Sequence, residues 1–263
     1  MAFSALEHYT AASPSPQNAL EIFRGEWLCK LPPPFDDLSA GSIPAFDDPR
    51  IHWALGEVGG VAGRTVLELG PLEAGHSYLL ERAGARSVLA IEANAHAYLK
   101  CLVVKEILGL ERCRFLFGDF VRYLEAAERR FDVCVASGVL YHMADPVALL
   151  GLLARTTDRL CLWSHYYDAA IIDQQATLRA PFVSSASRIT EGFAHTVFRQ
   201  EYGGALGVPW FCGGNTAYSH WMTRRDILDC LAHFGFTDVR VGLEDPNHPH
   251  GPCFTVVATR ERR

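Results

Sequence analysis

No run of apolar residues in this chain approaches the roughly 18 to 20 needed to cross a bilayer, and the opening MAFSALEHYT has no basic start. The expectation is a cytoplasmic protein that does not enter a membrane. Basic clusters are also missing: the formal net charge is −6, and Lys and Arg are scattered except for Arg260, Arg262 and Arg263 at the end. Phosphate backbones are held by clustered Lys and Arg, so this balance weighs against nucleic acid and toward a small-molecule partner. None of the 8 cysteines forms a Cys-x-x-Cys pair, and Cys101, Cys134 and Cys161 lie inside apolar runs. The thiols therefore read as small buried hydrophobes in a reducing compartment, not as a disulfide framework or a zinc site.

What is present is an ordinary globular composition, 49% hydrophobic and 21% charged over 263 residues, enough for one large core with elaborations. Residues 1–60 carry Pro14, Pro16, Pro32, Pro33, Pro34, Pro44 and Pro49, with one expected helix from Gln17 to Lys30. That proline density predicts a wrapping arm or lid ahead of the main domain, residues 61–263. From Arg64 onward strands alternate with helices: RTVLEL, SVLAIE, CRFLFG, FDVCVAS and RLCLWSHY are separated by helical stretches beginning near Ala74, His96, Phe120 and Asp145. Strands VLEL, VLAI and VCVA are apolar throughout, as expected when both faces are covered. The fold class is α/β, Rossmann-like and doubly wound, with a mostly parallel sheet.

Residues 168–220 break this rhythm. They end in YGGALGVPWFCGGNTAYSHW, whose glycines and aromatics, Trp210 and Trp221 among them, suggest an aromatic-walled insertion that selects substrate. The alternation resumes with TRRDILDCLAHFGF, a helix with Thr223 as N-cap and Gly235 as C-cap signal. TDVRVGL and CFTVVAT then close the chain as a hairpin across EDPNHPHGP.

The chemistry centres on VLELGPLEAGHS, residues 66–77. A glycine ending the first parallel strand lets backbone N–H groups approach a ligand, and open α/β sheets bind ligands at the carboxyl ends of their strands. The dinucleotide fingerprint G-x-G-x-x-G is absent, since Leu72 stands where its second glycine belongs. Glu68 would also repel a pyrophosphate. A sulfonium ligand reverses the sign of that interaction, so Glu68 favours S-adenosylmethionine over NAD or FAD. Glu92, followed by Ala93 and Asn94, ends the second strand where an acid accepts from ribose hydroxyls. Gly118, Asp119 and Phe120 end the third, an acceptor for the adenine amino group beside a ring to cover it. Ser137, Gly138, Tyr141 and His142, in SGVLYHMADP, end the fourth.

With these residues in hand, Arg64 to Tyr166 resembles class I S-adenosylmethionine-dependent methyltransferases, especially those with a V-L-Y-H-x-x-D-P run after strand four. The resemblance implies seven strands in the order 3-2-1-4-5-7-6 with the last antiparallel. It implies S-adenosylmethionine as cofactor and S-adenosylhomocysteine as product. Glu68, Gly70 and Gly75 match its first motif, Glu92 its ribose acid, Asp119 its adenine contact, and Ser137 with Gly138 the segment beneath the methionine portion. This chain departs from the family by placing Pro71, Leu72 and Glu73 between its glycines, and Glu73 is the candidate partner for the methionine amine.

His142, Tyr141 and His165, the last in WSHYYD, are the candidate catalytic groups, and His142 has the bland alternative of a carbonyl hydrogen bond. His248 and His250 show no metal-ligand spacing; NHPH reads as a turn, and no metal is expected. The function expected is methyl transfer to an oxygen or nitrogen of a small acceptor. The alternatives are an enzyme acting on the tRNA wobble uridine, which the same V-L-Y-H run resembles, and a non-catalytic nucleotide-binding module. Assembly into a homo-oligomer is left open.

Overall fold

The computed structural model describes residues 9–208 and 211–260; Trp210, Arg262 and Arg263 lie outside the described residues. Ten strands form two sheets. The larger contains β1 (Thr65–Leu69), β2 (Ser87–Glu92), β3 (Cys113–Phe117), β4 (Val133–Ser137), β5 (Arg159–His165), β9 (Asp238–Asp245) and β10 (Cys253–Thr259). Its order is β3-β2-β1-β4-β5-β10-β9, and β10 runs antiparallel to both neighbours while the other pairings are parallel. This is the order expected from the sequence.

The uninterrupted apolar strands follow from burial on both faces: every residue of β1 is buried. On one face, helices Pro49–Glu57, Gly75–Arg82 and Ala95–Leu108 bury Ile51, Ala54, Leu80, Cys101 and Val104 against Val66, Val88 and Val135. On the other, helices Phe120–Ala126, Pro146–Thr156 and Arg224–His233 bury Leu124, Leu150, Leu153 and Leu231 against Leu67, Leu69 and Phe254. Each fully buried leucine contributes about 1.5–3 kcal/mol by leaving water. The caps are where the sequence placed them: Thr223 accepts from Asp226 N–H at 3.0 Å, and Gly235 takes φ +89° after the same helix. All 8 cysteines are free, and among the described residues no helix is long and apolar enough to cross a membrane.

One expectation needs correction. The helix expected from Gln17 to Lys30 covers only Pro16–Glu21, because the chain turns through Gly25 at φ +80°. Residues 168–220, which break the βα rhythm, hold strands β6 (Phe182–Thr190) and β7 (Phe193–Glu201); β7 pairs with β6 on one side and with β8 (Tyr218–Met222) on the other in a second, antiparallel sheet. β6 was illegible because most of its residues face water, so it shows no apolar stripe of period two.

Candidate active site

Glycine and strain shape the first turn. Gly70 has φ +64°, donates its N–H to Ile91 O at 3.0 Å, and would place a Cβ 2.8 Å from Val139 Cγ1. Leu72 and Ala74 also lie in the left-handed region, at φ 55° and 64°, costing of order 1–3 kcal/mol each. They are held there: Leu72 N–H donates to Glu92 Oε2 at 3.2 Å, and Ala74 N–H donates to Pro71 O at 2.8 Å. Glu92 thus ties the end of β2 to the turn after β1. Its other oxygen accepts from Asn94 N–H at 2.8 Å, while Asn94 caps the following helix by accepting from Ala97 N–H at 3.1 Å. Burial holds the Glu92 carboxyl above its usual range, partly offset by these N–H groups.

Glu68 is buried, and Ser77 Oγ donates to its Oε2 while Oε1 has no hydrogen-bond partner. Burial therefore pushes its carboxyl upward. Gly75 opens the helix after the turn, and a Cβ there would stand 2.8 Å from Ala45 O, so turn and arm touch backbone to side-chain-free backbone.

Glu73 is redirected. It is buried and forms an ion pair with Lys100 Nζ at 2.6 Å while accepting from Leu28 N–H at 3.0 Å and Cys29 N–H at 2.7 Å. In this structure its oxygens dock the N-terminal arm instead of pointing to the expected methionine amine. The unusual Pro-Leu-Glu is an anchor.

Past Gly118, which donates to Glu92 O at 2.9 Å, Asp119 caps helix Phe120–Ala126 through Val121 N–H at 2.8 Å. Its second oxygen accepts from Asn215 Nδ2 at 3.2 Å. Phe120 is buried in the core under the helix, and Ala93 is exposed at the rim. Asn94 Nδ2 donates to Phe211 O at 3.4 Å, so the loop before β8 lies across the ends of β2 and β3.

Ser137 ends β4 beside Trp163 of β5, and Gly138 follows at φ +86°. The V-L-Y-H run then forms one 3-10 turn, Leu140–His142. Tyr141 stands edge-on to Trp163, His165 and Trp221, with ring centroids 5.7, 4.7 and 5.8 Å away. Trp221 of β8 stacks on His165 at 5.1 Å with 12° between planes, and its buried Nε1–H has no partner. Arg50 of the arm closes the far side, its guanidinium 4.3 Å above the Trp163 ring and 2.9 Å from Asp48 Oδ1. Together these residues form a packed aromatic cluster beside the strand ends.

The three candidate catalytic side chains meet here in different states. His142 Nδ1 lies 2.7 Å from Tyr202 OH of the insertion, and burial pushes the imidazole down to about 3. His165 Nδ1 lies 2.8 Å from Gly251 O, a partner that fixes the proton on Nδ1 and leaves Nε2 with its lone pair. Burial holds His165 down to about 4, the carbonyl partners opposing it. Burial pushes the Tyr141 phenol up. Arg50, Trp163, Tyr202, Asn215 and Cys253 were not singled out from the sequence, and His248, read there as a turn residue, flanks His165 together with Cys253. A surface groove of about 730 Å³ lies at the opposite ends of the strands among Glu57, Asp132, Asp238 and Arg240. Ion pairs occupy that end, including Arg240 with Glu57 at 2.8 Å, and none of the strand-end acids faces it.

Among solved structures, the N-terminal domain of EvdMO1 in the presence of SAH and D-fucose superposes with a TM-score of 0.68, covering 94% of this chain and 95% of that one at 21% identity. This chain has the fold of class I S-adenosylmethionine-dependent methyltransferases. Magnesium protoporphyrin IX methyltransferase (ChlM) from Synechocystis PCC 6803 with bound SAH shares that methyltransferase fold at a TM-score of 0.54, 19% identity and 80% of each chain. So does the 1,6-didemethyltoxoflavin-N1-methyltransferase of Burkholderia thailandensis, at 0.54, 14% identity, 83% of this chain and 79% of that one. No family model and no curated protein matches the chain.

Proposed function

We infer that this protein transfers a methyl group from S-adenosylmethionine to an oxygen or nitrogen of a small-molecule acceptor. The observation that carries this reading is the strained turn after β1 held by Glu92: a carboxylate at the end of β2, bonded to Leu72 N–H, with Asp119 on the neighbouring strand. The residues present fit the cofactor. Glu92 keeps lone pairs for ribose hydroxyls beyond the two N–H groups it accepts, and Asp119 has one oxygen whose present partner, Asn215, is an exposed side chain that can exchange for an adenine amino group. Glu68 Oε1 is a buried acceptor without a donor, in keeping with a ligand or water bearing N–H or O–H groups nearby.

Bound S-adenosylmethionine supplies an electrophilic methyl group on a positively charged sulfur. The chain's own part is alignment, and positioning can be worth roughly 7–11 kcal/mol at best. Gly138 turns at φ +86° between the end of β4 and the Leu140–His142 turn, where a side chain would stand against Trp163 and Tyr141. Tyr141, Trp163 and Trp221 exclude water from one side of the acceptor, and the unpaired Trp221 N–H is a donor that an acceptor oxygen would satisfy. Residues 168–220 and the arm enclose that cluster, through Tyr202 on His142 and Arg50 on Trp163. The net charge of −6 favours a small acceptor over RNA.

Calorimetric titration with S-adenosylhomocysteine tests the reading. Binding with a 1:1 stoichiometry is expected, and no heat at millimolar ligand from a folded protein would sink it.

A further inference from the structure

Three side chains that the methyltransferase reading does not use as a set converge at one end of the aromatic cluster. Cys253 opens β10 directly opposite His165 at the end of β5, and opposite Asp245 on its other side. His248 sits in the turn between β9 and β10 with its ring 5.0 Å from that of His165. One ligand atom from each of His165, His248 and Cys253 lies within 4.8 Å of the other two. The turn that brings them together is fixed by Gly251, at φ +105°, whose missing side chain leaves room for Trp221 at 3.0 Å.

We propose that His165, His248 and Cys253 bind a divalent transition ion of the zinc class, with a fourth coordination position open toward Tyr141. Two imidazoles and one thiolate are the donor set that zinc takes, and three protein ligands with one open position are the pattern of a site that engages substrate. Ligand distances of about 2.0–2.3 Å require donor separations of roughly 3.3–3.8 Å, so small rotamer changes close the observed cluster onto an ion. His165 Nδ1 has at 2.8 Å the Gly251 carbonyl, the kind of partner that zinc-bound histidines commonly have, which leaves the Nε2 lone pair for the ion. His248 accepts from His250 N–H at 3.2 Å through Nδ1, an exposed contact that water replaces when the ring turns to the ion. Binding an ion through sulfur releases the Cys253 Sγ–H proton to solvent. The converging set explains more than a buried thiol and a stacked histidine would separately.

The open position lies beside Tyr141, whose ring is 4.7 Å from that of His165, where an acceptor oxygen would approach. That use rests on the methyltransferase reading, whereas metal binding itself does not. Metal-free full-length protein, without cofactor, is titrated with Co²⁺ and followed by absorption. One equivalent is expected, with a thiolate-to-metal charge-transfer band, intense four-coordinate visible bands, and displacement of both by Zn²⁺. Cys253→Ser should abolish the charge-transfer band, Cys212→Ser at the exposed thiol should leave it, and His248→Ala should weaken binding by at least about tenfold. Absence of the band in the wild type, its survival in Cys253→Ser, its loss in Cys212→Ser, or unchanged affinity in His248→Ala overturns the proposal. His248 is in a surface turn, so its variant tests the site even where Cys253→Ser fails to fold. Failure to bind S-adenosylhomocysteine would instead remove the methyltransferase reading and leave the Co²⁺ result standing.

Discussion

Along β1, β2, β3 and β4 each candidate cofactor residue ends its own strand and faces its neighbour across a regular parallel register. Around β5, β8 and β10 the aromatic cluster is instead assembled from a strand end, a turn, an insertion and the arm, with partners far apart in the chain. The proposed cofactor side follows the repeating βα unit, whose strand ends stand side by side, and the proposed acceptor side draws on the elements that interrupt it. Substitutions on the two sides should therefore separate cofactor affinity from acceptor handling, and the residues joining the sides should disturb both.

The largest effect is expected where the arm meets the first turn. Lys100→Met leaves the buried Glu73 carboxylate with only the Leu28 and Cys29 N–H groups, and breaking a buried pair from one side costs about 3–5 kcal/mol. Denaturant unfolding should show that loss, and Lys100→Met combined with Glu73→Gln should recover a substantial part of it. If instead Glu73→Gln abolished S-adenosylhomocysteine binding without lowering stability, Glu73 would belong to the cofactor side after all.

This anchor also marks the limit of what sequence reading could see. Strand ends announce their residues, because an apolar run stops and the next polar group is fixed at the rim; the positions of Glu68, Glu92 and Asp119 at the ends of β1, β2 and β3 could be read for that reason. Glu73 carried the same chemical signal, an acid in a glycine-flanked turn, but its partner Lys100 lies on a different helix and its N–H donors in the arm. Spacing cannot reveal such a contact. That Cys253 and His248 stand beside His165 was illegible on the same ground: the antiparallel pairing of β10 with β5 and the turn before it, not local spacing, bring them there. Strand β6 failed to register for another reason, since a solvated strand has no apolar period.

Next in size is Glu92→Gln, on the cofactor side alone. The amide keeps the volume but loses the charge that Leu72 and Asn94 N–H groups and ribose hydroxyls share, and hydrogen bonds to a charged group are worth about 1.5–3 kcal/mol. Affinity for S-adenosylhomocysteine should fall by roughly 10- to 100-fold in calorimetry. The Co²⁺ titration should not change, and a parallel loss there would mean that the two sides are not separable.

Asp48 joins the two sides, and pH should expose it. Its carboxylate binds Arg50, which covers Trp163, and His76 of the helix after the first turn at 3.0 Å. Burial pushes this carboxyl up, but the His76 and Arg50 hydrogen bonds and charges outweigh it, holding the group well below the usual carboxylate range. A carboxyl depressed in the folded state stabilises fully above its unfolded value of about 3.9 and loses that contribution as pH falls toward the folded value. Asp48→Asn should thus be less stable than the wild type at pH 7, and the gap should narrow in unfolding measurements below about pH 4. A gap independent of pH would show that the ion pairs contribute nothing.

The smallest expected effect falls on the acceptor side. Trp221 is buried with its Nε1–H unpaired, a group whose desolvation is already a cost to the folded state of about 1–3 kcal/mol. Trp221→Phe removes that donor and keeps a ring between His165 and Phe182, although the smaller ring forfeits some packing. The two changes oppose each other, so the unfolding free energy should move by no more than about 1 kcal/mol, and S-adenosylhomocysteine affinity should stay within experimental error. The acceptor's KM should rise, because the donor left unpaired in the free protein is the one an acceptor oxygen would engage. A large stability loss with unchanged KM would make Trp221 a packing residue and remove the one unsatisfied donor that supports a polar acceptor at this cluster.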